Sequence, residues 1–264
     1  MGFNPVSPYS PFQWSDNFNN SLFSRIPREI IELGYWAKLP LNSKAIYPPI
    51  LKHVNKERGL AFPSIRTLAI LSGVTEKTAG KGVNGLNGLP GFKKVRKMSK
   101  RGHTAYHYLI NEPIRDSRNT IWFSHSYING GNWSQLTQTA KAILPVLKFF
   151  SGCDIEPYCE LENIEYIPIE HREIYKGRKY DFMDAEEANI CEFAGISKKS
   201  LPNAYRSLIK NHIIESLGLY EDRKVWKVFV KPTQHYKRDW LNSELKKRYG
   251  WWKKLPTKHY LSIN

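Results

Sequence analysis

The chain of 264 residues is long enough for two domains of ordinary size, and 40 Lys and Arg against 24 Asp and Glu leave a formal charge of +16. That surplus points to a polyanionic partner, nucleic acid first, while the longest mostly apolar stretch, AILPVLKFF, is far short of the roughly 20 residues a membrane span needs. Three cysteines (Cys153, Cys159, Cys191) make no secreted disulfide framework and no signal-like segment opens the sequence, so a reducing cytoplasm is expected.

Residues 1–21, rich in Pro, Asn and Ser and without period, read as an extended or disordered arm. PREIIELGYW reads as a helix opened by Pro27. SKAIYPPILKHV reads as a second helix capped by Ser43, with a kink or delayed start at Pro48 and Pro49. Further on, Ser64 caps a short helix that turns Ile65, Leu68 and Ala69 inward, and Gly73 supplies a tight turn. Thr75 then caps a helix with Ala79, Val83 and Leu86 on one face. FKKVRKM, SKRGH and TAYHYLI follow as strand, loop and strand. A helix-turn-helix followed by a basic hairpin is the winged-helix arrangement, here over residues 22–115.

The sequence then repeats itself. Gly34, Trp36, Leu39, Lys44, Ala45, Ile46 and Pro48 recur with an offset of 97 as Gly131, Trp133, Leu136, Lys141, Ala142, Ile143 and Pro145. With an offset of 122, Gly73, Val74, Thr75, Ala79, Val83 and Leu86 fall on Gly195, Ile196, Ser197, Leu201, Tyr205 and Leu208. The difference of 25 measures an acidic insertion at about 151–182; residues 153–192 hold twelve of the 24 carboxylates. IIESLGLYEDRKVWKVFVKP closes a second winged helix over 116–232, and 233–264 is a basic aromatic tail with helical character. The expected fold class is α+β, mainly α, with two tandem winged-helix domains born of an internal duplication.

In a helix-turn-helix the second helix enters the DNA major groove, so its chemistry lies opposite the core. The exposed stripe of the first copy is Lys77, Lys81 and Asn84, opened by Thr75; that of the second is Lys199, Asn203 and Arg206, extended to Lys210. Lys and Arg suit guanine edges or phosphates and Asn suits adenine, although any solvated helix face can carry lysine. Lys93, Lys94, Arg96, Lys97, Lys100 and Arg101 crowd the first wing, a density suited to phosphate neutralisation with counterion release. The second wing is mixed in sign, with Glu221 and Asp222 beside Arg223 and Lys224. Gly80, Gly82, Gly85 and Gly88 each cost a helix about 1 kcal/mol relative to Ala, and serve either close approach to DNA or tight packing.

Other chemistries lack their residues. Cys153, Cys159, His171 and Cys191 do not have zinc-finger spacing, so no metal and no cofactor are expected. GVTEKTAGK has the wrong spacing for a phosphate loop. A rolling-circle nicking enzyme would find Tyr175 and Tyr180, but His103 and His107 are four apart and form no metal pair, so no enzymatic activity is expected.

The pieces SKAIY, FPSIRTLA, SGVTEKT and GLPGF make the stretch from Leu41 to Leu86 and its continuation into the wing resemble the helix-turn-helix domains of plasmid and phage replication initiators and related bacterial regulators. The resemblance covers about 39–112 and is weak in the second copy, which departs at the insertion and at SLPNAY. It implies duplex-DNA binding through the 75–86 helix in a bacterial cytoplasm, on nucleoid or plasmid, for replication initiation or transcriptional control. Two tandem copies also look like the iteron-binding plasmid initiators in architecture. A different class stays open: a subunit of a nucleoprotein complex whose second copy binds protein. The insertion or tail would then serve a protein partner or self-association.

Overall fold

The computed structural model describes residues 23–55, 59–98, 104–110, 120–151, 180–220 and 222–233. The arm, the bulk of the insertion, the tip of the first wing and the tail after residue 233 lie outside the described residues.

Ahead of the helix expected from Pro27 lies a strand, β1 (Phe23–Pro27), and that helix is divided into the short helices α1 (Arg28–Glu32) and α2 (Tyr35–Lys38) with Leu33 and Gly34 between them. Pro27 ends the strand and precedes the first helical residue. The long helix α3 (Leu41–Lys52) begins after Pro40, so Ser43 is not its cap; its hydroxyl donates instead to the Gly82 carbonyl at 2.8 Å. Pro48 and Pro49 lie inside α3 without breaking it. Pro49 has no N–H for the Ala45 carbonyl four residues back. That carbonyl accepts from the Trp133 indole at 2.9 Å and the Ser72 hydroxyl at 3.0 Å, which offsets the loss.

Two two-residue strands, β2 (Val54–Asn55) and β3 (Leu60–Ala61), went unread in the sequence. Helices α4 (Ile65–Leu71) and α5 (Glu76–Gly85) follow as expected, a 3₁₀ turn (Leu86–Gly88) extends α5, and β4 (Phe92–Met98) pairs antiparallel with β5 (Thr104–Ile110). The sheet order is β2-β3-β5-β4.

The order then recurs: β6 (Thr120–Ser124), α6 (Ser126–Asn129), α7 (Asn132–Gln135) and α8 (Gln138–Phe150). After them come β7 (Tyr180–Met183), α9 (Glu187–Ala194), α10 (Leu201–Lys210), β8 (Ile214–Tyr220) and β9 (Arg223–Phe229). Tyr180–Met183, at the end of the expected insertion, pairs with β9 in the sheet β7-β9-β8, as β3 pairs with β5.

The two halves were expected to have a core each, but one continuous apolar core runs from Ile26 to Val228 through both. The residues spelled twice are its fasteners. β1 pairs with β6 so that Arg25 faces Trp122, the residue 97 positions on, with its guanidinium 4.9 Å from the indole centroid. Trp36 donates to the Ala142 carbonyl and Trp133 to the Ala45 carbonyl, both at 2.9 Å and both fully buried. The two indole contacts mirror each other at the offset of 97 that separates the repeated residues.

Candidate nucleic-acid interface

Local chemistry fixes α4 and α5. The Ser64 hydroxyl accepts from the Thr67 amide at 3.0 Å and the Thr75 hydroxyl from the Thr78 amide at 3.2 Å, each satisfying a first-turn donor that the helix cannot. Thr75, proposed from sequence as a DNA contact, thus has its hydroxyl engaged as a cap. Gly73 turns the chain at φ 63°, and its Cα lies so close to the opposite half that a Cβ would collide with the Ser134 carbonyl. Arg66 pairs with Glu76 at 3.4 Å, tying the start of α4 to the start of α5.

α5 buries Ala79 and Val83, with Leu86 beneath the 3₁₀ turn, and its far face presents Lys77, Lys81 and Asn84, all exposed. The glycine question divides. At Gly82 an added Cβ would stand 2.6 Å from the Asn42 carbonyl oxygen, and at Gly85 it would strike the Ser43 hydroxyl, so these two let α5 press against α3. Gly80 and Gly88 face open space.

The register of β4 against β5 sorts the first-wing cations. Phe92 pairs with Ile110, Lys94 with Tyr108 and Arg96 with Tyr106, and Phe92, Ile110 and Tyr108 are buried. Lys94 and Arg96 therefore continue the face that packs toward the helices, while Lys93 points to the other side of the pleat. Lys94 reaches α5: its ammonium lies 3.0 Å from Asn84 Oδ1 and 3.9 Å from the Tyr106 ring centroid. Tyr106, missed in the sequence, was visible as the partner of Tyr108 in the alternation of TAYHYLI. Bidentate pairing of Asn84 with adenine would first require Lys94 to leave its amide oxygen. Lys100, Arg101 and the side chain of Lys97 lie outside the described residues, as does His103.

In the second half, Lys199 belongs to a 3₁₀ turn (Lys198–Ser200) rather than to the helix, because Pro202 fixes the first turn of α10 one step later. Asn203, Arg206 and Lys210 are exposed on α10, whose Leu201, Ala204, Tyr205 and Leu208 are buried. Lys199 is exposed beside them. The helix also carries the exposed Ile209, and the hairpin carries Leu219 at 61% exposure.

Two lysines lie at the centre instead of the surface. Lys44 donates to the Ala37 and Ala194 carbonyls at 3.0 and 2.8 Å, and Lys141 to the Leu136 and Ser72 carbonyls, both at 2.8 Å. Burial lowers their pKa values, to about 8 for Lys44 and about 7 for Lys141.

Among the described residues no group of three His, Cys, Asp or Glu could hold a metal ion, and Cys153, Cys159 and His171 lie outside them. No helix among the described residues is long and apolar enough to cross a membrane. Residues 37–89 match the family model of a helix-turn-helix domain, from α2 through α5. The chain thus carries a helix-turn-helix domain of the DNA-binding kind. Comparisons with curated proteins and with solved structures gave no match.

Proposed function

We propose that the protein is a sequence-specific duplex-DNA binder built of two winged helices from an internal duplication, with α5 in the major groove and the β4–β5 hairpin on the flanking phosphates. It would act without catalysis, as a replication initiator or transcriptional regulator of a bacterial mobile element. The observation that carries the reading is the exposed face Lys77, Lys81 and Asn84, bordered by Lys94 and Arg96 on the same side of the wing. The second half would place Lys199, Asn203, Arg206 and Lys210 against the neighbouring groove, so the footprint would span about two helical turns.

Selection of bound fragments from a random duplex pool at fixed salt tests this: a long composite site is expected, and no enriched sequence overturns it. Replacing Lys77 and Lys81 by Ala is expected to weaken binding at least tenfold and to lower the slope of log K against log salt by about 2 if both meet phosphate. The exposed Leu219 and Ile209 favour a second reading, in which the second half docks protein within a nucleoprotein complex. Neutralising Lys199 and Arg206 separates the two, with a large affinity loss under the first and almost none under the second. A nicking activity would instead give cleavage of supercoiled DNA that is lost when Tyr175 or Tyr180 becomes Phe.

A further inference from the structure

The helix-turn-helix turn of each half is finished by the other half. Lys141 of α8 donates to the Ser72 carbonyl at the end of α4, and Lys44 of α3 donates to the Ala194 carbonyl at the end of α9. Each side chain also holds a carbonyl earlier in its own half, Leu136 for Lys141 and Ala37 of α2 for Lys44, so it bridges from its own half to the turn of the other. A donor placed on a helix's last carbonyls replaces the bonds the helix cannot make and meets the negative end of its dipole.

The residue after each capped carbonyl is the turn glycine. Gly73 has φ 63° and Gly195 φ 61°, so both need the left-handed region. A Cβ on Gly73 would collide with the Ser134 carbonyl, and one on Gly195 with the Ala37 carbonyl. Inside each turn the same amide bonds recur: Val74 to the Ala69 carbonyl at 2.9 Å, and Ile196 to the Cys191 carbonyl at 3.0 Å. The Trp36 and Trp133 indoles cross the same boundary in mirrored fashion. A packed, hydrogen-bonded boundary of this kind leaves little room for one half to swivel on the other.

We infer that Lys44 and Lys141 are positioning residues that brace each helix-turn-helix turn from the opposite half, making the two reading helices one rigid body that accepts a single spacing between its two DNA half-sites. This rests on the proposed reading of DNA by both halves. A two-domain reader with a loose joint would tolerate changes in spacing; a cross-braced one would not. Inserting one base pair between half-sites rotates the second by about 34°, which a rigid body cannot follow.

Two measurements on the full chain test it. In amide hydrogen exchange, Lys44→Met is expected to accelerate exchange at Gly195 and Ile196, in the opposite half, at least tenfold, while Gly73 and Val74 change less. Lys141→Met is expected to do the reverse. Equal acceleration at both turns, or none at the distant one, overturns the brace. Methionine keeps the length and apolar volume of the stem, and a far-UV spectrum identical to wild type shows that the variant has folded. Should either variant fail to fold, Lys44→Gln and Lys141→Gln, which keep a polar group but are too short to reach the distant carbonyl, are read in the same way: faster exchange at the turn of the opposite half is expected, and equal change at both turns overturns the brace.

The second measurement uses the composite site selected from the random pool, with one or two base pairs inserted or removed between half-sites. Wild type is expected to lose at least tenfold affinity for every altered spacing, and the Lys44→Met, Lys141→Met double variant to lose that discrimination while holding the parent site within a few fold. Wild-type indifference to spacing overturns the single-body inference and leaves DNA binding standing. Failure to select any site overturns the reading of DNA, and the exchange experiment still decides the brace.

Discussion

Gly80 and Gly82 lie two residues apart on α5 and have opposite surroundings, the first open and the second against the Asn42 carbonyl and Ile46. Gly80→Ala is expected to stabilise the protein by up to about 1 kcal/mol through helix propensity alone. Gly82→Ala is expected to destabilise it by about 1–3 kcal/mol, because α3 must move to admit the methyl group. Urea denaturation of the two variants checks both signs. The buried lysines carry a pH dependence. Their folded pKa values, about 8 and about 7, lie below the ordinary value of 10.5, so between these limits the unfolded chain binds more protons than the folded one. Stability is therefore expected to rise as pH increases from about 7 toward 10. His53, lowered to about 3 by burial and the neighbouring Lys52, acts in the same sense at lower pH, since the unfolded chain alone takes up its proton below about 6.5. Tyr47, Tyr127 and Tyr205, raised by burial, reverse the trend above about pH 10. Melting temperature against pH should thus peak on the alkaline side of neutrality and lose much of its rise between pH 7 and 10 in the Lys44→Met, Lys141→Met variant.

At the scale of elements, the first wing is a two-sided strand. Because Lys94 and Arg96 share the face of Phe92, and Lys93 has the opposite one, their removal should not be equivalent. Lys94→Ala with Arg96→Ala is expected to lower the salt slope of duplex binding by about 2, against less than 1 for Lys93→Ala, in a titration of Kd from low to moderate salt. The cap of α5 is a separate lever. Thr75→Ala removes the acceptor for the Thr78 amide and is expected to cost about 1 kcal/mol of stability, in a helix already weakened by its glycines. Thr75→Ser keeps the acceptor and should restore most of that loss. The second hairpin bulges between Ser216 and Gly218 and carries the exposed Leu219 near its tip, so it is not a copy of the first in its chemistry even though its strands pair alike.

At the scale of the whole molecule, the shared core makes the halves interdependent. Ile26, Trp36 and Ile50 belong to the same buried cluster as Trp133, Ile143 and Ala194. Calorimetry is expected to show one unfolding transition, and a fragment ending at residue 115 should not fold, since it would expose the faces of α2 and α3 that α8 and α9 cover. Two separate transitions would show that the halves fold independently.

The amino-acid sequence by itself determined the helix pair, its caps at Ser64 and Thr75, the turn at Gly73, the hairpins and the exposure of Lys77, Lys81 and Asn84. These depend on hydroxyls, glycine and apolar period within a dozen residues of chain. It also displayed the repeated Trp, Lys, Ala and Gly, but not their purpose, because those side chains find their partners about 70 to 150 residues away. Tertiary structure alone decided that β1 and β6 are strands, since among the described residues each pairs with the other. It decided as well that α3 continues through Pro48 and Pro49, where the opposite half supplies a donor for the Ala45 carbonyl. Local pattern specifies a turn of helix; a long-range partner is specified only by the packed chain that brings it within 3 Å of its acceptor.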